Sequence, residues 1–167
     1  VETAQKYNAD IVKAGMVKKQ ENKEIVMRIT ENDLIYIQKM DFDKTIYREI
    51  LTSHKHNSMV VQLIKREKIN IENIKNELVL GEDLSFNIDL YSNIESMVLL
   101  SKCYYYYRYN QESVTNRIDI VTLNRHMSDI FKLTRKEIDK IKDWKITSPE
   151  IVKEIYLYML FRITLYT

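Results

Sequence analysis

CYYYYRYN, residues 103–110, puts five tyrosines (Tyr104, Tyr105, Tyr106, Tyr107 and Tyr109) into six consecutive positions of a 167-residue chain. How this stretch folds decides the architecture. On a helix, here over 92–109, each residue advances about 100 degrees, so four successive tyrosines cannot share a face. Leu90, Ile94, Met97, Val98, Tyr104, Tyr105 and Tyr109 then form a main stripe. Leu99, Leu100, Cys103, Tyr106 and Tyr107 form a second stripe on the opposite side. A helix apolar on two sides is central in a bundle or shows one side to a partner. The second stripe is therefore the candidate partner-binding face, for a protein partner or a second copy of the chain. Stacking on single-stranded nucleic acid is the less favoured use, because only Lys102 and Arg108 flank the run.

The rest of the chain supports helices. It holds two glycines and one proline, whereas all-β folds need many turn residues and phosphate-binding loops need clustered glycines. Charged residues make up 30% and apolar ones 45%, a globular composition. The net charge of +2 is spread along the chain and names no partner. The single cysteine excludes an internal disulfide and a Cys-based zinc site, and suits a reducing, cytoplasmic compartment. The most apolar run, 155–165, is too short to span a bilayer and contains Arg162.

Residues 1–23 carry only a thin apolar cluster, Ile11, Val12, Met16 and Val17, and read as an N-terminal extension, with Met16 a candidate native start. Residues 24–167 read as a single helical domain. Thr30-Glu-Asn-Asp33 has capping-box form and predicts a helix from about 31, broken near Asp41. Residues 58–80 read as one long helix or two, through Val60, Ile64, Ile71, Ile74 and Leu78, ended by Gly81. LSFNIDL, 84–90, alternates with period two, which makes it the one serious strand candidate, with EIVMRI (24–29) as its mate. Helices follow over about 111–132, from a second capping box at Thr134, and from Ser148-Pro149-Glu150 to the chain end. The expected fold is an all-α bundle of about five to seven helices with at most one short two-stranded ribbon.

Chemistry is sparse. His54 and His56 lie two apart, which on a helix points them away from each other, and the third histidine, His126, is remote, so no metal or cofactor is expected. Arg48-Glu-Ile-Leu-Thr-Ser-His54 resembles the Arg-x(4–6)-His motif of the HEPN ribonucleases, all-helical domains that dimerise to cleave RNA. The resemblance implies Arg48 on the phosphate and His54 as acid or base, with Glu49 where the family carries a polar residue. LTRKEIDKIKDWKITSPEIVKEI (133–155) looks like the opening helices of a LuxR-type helix-turn-helix. Its basic residues Lys132, Arg135, Lys136, Lys140, Lys142 and Lys145 are, however, offset by Glu137, Asp139 and Asp143. The favoured function is a non-catalytic protein-binding, assembly or regulatory module. A HEPN-like metal-independent ribonuclease is the alternative, and a nucleic-acid-binding regulator the weaker one.

Overall fold

Residues Ile11–Gln20 form β1, a strand that pairs with three others. The structure, a computed structural model, describes residues 1–20, 23–53, 55–70, 78–108 and 120–165. Beside β1 lie β2 (Lys23–Met27), β3 (Leu34–Gln38), β4 (Gln62–Ile64) and β5 (Ser96–Arg108). Together they make one curled, mixed five-stranded sheet, ordered β2-β1-β5-β3, with β4 joining β1 on the β2 side. The β1–β5 pair is parallel and the other pairs are antiparallel. The helices are α1 (Glu2–Tyr7), α2 (Ile46–Thr52), α3 (Glu82–Asn93), α4 (Ile120–Asp143) and α5 (Pro149–Thr164).

The all-α bundle is thus overturned. The tyrosine stretch is not a helix but the second half of β5, up to Arg108; Tyr109 lies outside the described residues. Tyrosine and β-branched residues suit a pleated surface, and pairing with β1 over residues 105–108 supplies the backbone partners that a lone helix would have supplied locally. LSFNIDL, the predicted strand, is helix α3. Within LSFNIDL all but Asp89 are buried (Leu84, Ser85, Phe86, Asn87, Ile88 and Leu90), as is the adjoining Tyr91, so the stretch has no polar face to betray a helical period. Gly81 does adopt the left-handed conformation, at φ 82°, but it precedes α3 instead of ending a helix. Glu82 and Asp83 in the first turn favour the helix start electrostatically.

Other expectations divide. EIVMRI does overlap a strand, β2, but its mate is β1. Thr30 accepts from the amide of Asn32, a local turn after which the chain enters β3. Residues 62–64 of the expected long helix form β4, and Ile71 and Ile74 lie outside the described residues. Thr134 sits inside α4 and caps nothing. Ser148 accepts from the amide of Ile151, with Pro149 opening α5 as its sequence foretold.

The two sheet faces are unequal. Ile11, Ile37, Met97 and Leu99 belong to the main core, with Phe42, Ile46, Ile50 and Leu51 of the α2 region, Ile88 and Tyr91 of α3, and Trp144 and Ile155. Tyr47 stacks on Trp144 at 4.0 Å between ring centres. On the other face Ala9, Val12 and Val98 form a small cluster with Ala4 and Tyr7 of α1 and with Leu34 and Leu100. That second face is only partly roofed.

Candidate functional site

Pairing registers locate the tyrosines. β3 accompanies β5 only from Ser96 to Leu100, and β4 accompanies β1 only from Ile11 to Lys13. Past those points β2, β1 and β5 continue as a three-stranded extension. Gly15 lies where it begins. A Cβ there would meet Met27 O at 2.6 Å and Cys103 Sγ at 2.7 Å, so only glycine lets the strands close up. The β1–β5 register shifts on both sides of Gly15, which bulges β5 at the start of its tyrosine run.

Residues opposite one another in paired strands share a face. One face therefore carries the rows Met27–Met16–Tyr105 and Ile25–Lys18–Tyr107; the other carries Val26–Val17–Tyr106 and Glu24–Lys19–Arg108. Tyr104 and Tyr106 are 67% and 63% exposed, and Tyr105, Tyr107, Ile25, Val26 and Met27 are also exposed. The extension thus offers apolar and aromatic side chains on both sides. The same registers gather charge. Lys18 Nζ sits 5.9 Å from the Tyr107 ring centre, and Lys19 lies between Glu24 and Arg108. With Lys23 and Lys102, five cations stand on this three-stranded extension against Glu24 among the described residues; Glu21 lies outside them.

Tyr104 and Tyr105 also line a cleft of about 530 Å³ on the less covered face, with Val12, Ala14, Gln62 and Leu100 on its floor and walls. Glu2 contributes an acid at the same cleft.

A polar cluster lies on the opposite, buried face. Lys13, fully buried, donates to His56 O (2.8 Å), Ser58 O (3.3 Å) and Tyr91 Oη (3.0 Å). Burial pulls its amine down to about 7, against Asp83, which favours the charge. The His56 ring is equally buried and its Nε2 lies 2.7 Å from Glu49 Oε2. Burial lowers that imidazole to about 4, although the Glu49 bond works to raise it. Burial would raise Glu49, yet its bonds to His56 and Lys55 prevail and hold it at about 2. His56 is thus neutral near pH 7, with Nε2–H donating and Nδ1 without a partner. Asn87 Nδ2 donates to His56 O and Asn57 O, and Gln62 Nε2 donates to Asn87 Oδ1. The cluster pins the 56–62 loop to β1 and α3.

The sequence-derived candidates are dispersed. Leu99 is buried in the main core and Leu100 borders the opposite cluster, while Cys103 is half-buried and Tyr106 and Tyr107 are exposed. Adjacent strand residues point to opposite faces, so these five residues make no single surface. Arg48 is held by Glu154, through Nε and Nη2 at 2.8 Å each, and His54 lies outside the described residues. In α4, Lys136 binds Asp89 at 2.5 Å and Lys140 pairs with Asp143, so those cations are engaged. Glu137 is buried against Arg162. No cluster of three or more His, Cys, Asp or Glu side chains fit to hold a metal occurs among the described residues. No helix among them is long and apolar enough to cross a membrane. Sequence reading missed Ile25–Met27, Lys18 and Lys19 as neighbours of the tyrosines, because only strand register joins them. Lys13 carried a signal, a lone cation inside the apolar run IVKAGMV. Searched against models of known protein families and against curated proteins, the chain matches none.

Proposed function

We propose that this protein is a non-catalytic binding module whose contact surface is the tyrosine end of the sheet. One observation carries the reading: β5, β1 and β2 run on together beyond β3 and β4, with large apolar side chains exposed on both faces. Apart from buried Val17 these side chains add little to the core, and exposed apolar patches of this kind mark interaction sites. Tyrosine is well suited to contact surfaces, being large, stiff and amphipathic. The ribonuclease reading has less support, since Arg48 is tied to Glu154 and the all-helical architecture of that family is not present.

The test places a photoreactive residue at Tyr106 and, separately, at Met40, which is 76% exposed at the opposite end of the sheet. Irradiation in cells is expected to give a discrete adduct from position 106 and none from position 40. Equal adduct patterns at both positions overturn the proposal.

A further inference from the structure

The tyrosine end is assembled by strand register, and the register brings cations to the aromatic rings. Lys18 pairs in register with Tyr107, and Lys19 with Arg108, on opposite faces of the extension. Each face therefore carries at least one exposed ring beside at least one cation. Lys102 and Lys23 bring the total on the extension to five basic groups, with Glu24 the opposing acid among its described residues. Rings flanked by cations match a chain of stacked bases joined by phosphates. A second copy of the protein matches less well. Pairing the outer edges of two β5 strands antiparallel about Tyr105 would set Lys102 opposite Arg108, and like charges directly opposed are unfavourable. These two residues close the tyrosine run at both ends, as charges on an edge strand do where edge-to-edge pairing is suppressed.

From this juxtaposition of Tyr104, Tyr105, Tyr106 and Tyr107 with Lys18, Lys19 and Arg108, we infer that the tyrosine end binds single-stranded nucleic acid. The inference rests on the proposal that this surface is the contact site, and it names the occupant. The cleft beside Tyr104 and Tyr105, about 530 Å³, has room for an unstacked base. A duplex hides its base faces and has no use for the rings. Sequence preference is expected to be weak, because every base offers a face for stacking.

The experiment measures fluorescence anisotropy of labelled 20-nucleotide oligo(U) and oligo(dT), and of a duplex of equal length, titrated with the full 167-residue chain. Single strands are expected to bind at least tenfold more tightly than the duplex. Four to five phosphate contacts predict a slope of log affinity against log salt of about −3, at roughly −0.7 per contact. Tyr104→Ser/Tyr106→Ser is expected to weaken binding at least tenfold while its circular dichroism and melting temperature stay unchanged. Lys18→Ala/Lys19→Ala is expected to flatten the slope by about 1.4 by the same relation. Lys132→Ala/Arg135→Ala, on α4, is expected to leave binding within about twofold. Equal binding of duplex and single strand overturns the inference, as does loss of binding only in the α4 variant. No binding at 50 mM salt, with the position-106 adduct containing a protein, overturns the inference and leaves the contact surface standing. Unfolding of the tyrosine variant overturns both.

Discussion

Lys13 Nζ and Tyr91 Oη lie 3.0 Å apart in the fully buried layer between β1 and α3. The pair ties the central strand to the most buried helix, and the same ammonium reaches the carbonyls of His56 and Ser58. Removing the amine by Lys13→Met would take this donor from buried Tyr91 Oη and from the part-buried Ser58 carbonyl, while His56 O keeps Asn87 Nδ2, at a cost of about 1–3 kcal/mol for each buried group left unpaired. The variant is expected to be destabilised by at least about 2 kcal/mol at pH 6 in urea unfolding.

The same amine gives an alkaline signature. Burial lowers its native value to about 7, against the 10.5 of a free lysine. Between those pH values the unfolded chain holds more protons, so stability rises with pH. Below 7 both states are charged and the burial cost is fully present. Wild-type urea midpoints are expected to climb from pH 7 to 10 by more than those of Lys13→Met.

Acid acts through Glu49 and His56. His56, lowered to about 4, contributes stability that is present above 6.5 and lost as pH falls toward 4. Glu49, lowered to about 2, contributes stability that is present above 4.5 and lost as pH falls toward 2. Two overlapping losses are expected between pH 6.5 and 2. Glu49→Gln should retain the upper one and flatten the lower, and NMR titration of the wild type should place the His56 midpoint near 4.

At Gly15 the space is the issue, since an added Cβ would lie 2.6 Å from Met27 O and 2.7 Å from Cys103 Sγ. Gly15→Ala is expected to cost about 1–3 kcal/mol, the usual range for overpacking, measured by urea unfolding.

The tyrosines should behave in two classes. Tyr47, stacked on Trp144 and buried, is expected to cost about 3–5 kcal/mol when cut to Ala, as large aromatics in cores do. Tyr106→Ser, on the exposed extension, should stay within about 0.5 kcal/mol of the wild type. Thermal melts of the two variants check both figures.

How much of this was legible in the sequence differs element by element. Ser148-Pro149-Glu150 announced α5 correctly because its cap is made by neighbours in the chain. Thr30 and Thr134 carry equally good local patterns, but one leads into β3 and the other is absorbed into α4. Local chemistry permits a helix start without requiring one. LSFNIDL and the tyrosine run exchanged roles for complementary reasons. α3 is buried almost all round, which erases its helical period, and β5 is apolar on both faces beyond its core half, which erases alternation. The candidate surface stayed hidden because Val17 and Tyr106 are neighbours only through a parallel pairing of strands far apart in the chain. Composition misled too: with two glycines the chain still builds a sheet, because β1 and β5 are joined by a long crossover through helices and not by a tight turn.

That parallel crossover has a consequence for synthesis. The β1–β2 hairpin can form as soon as residue 27 has left the ribosome, but the β1 edge that will take β5 waits for residues 96–108. At roughly 5–20 residues per second, the interval is on the order of 4 to 16 s. Throughout it β1 keeps one edge unpaired, the edge that will take β5. Slower translation across residues 28–108 lengthens the time for which that open edge can pair wrongly, whatever the stability of the finished fold.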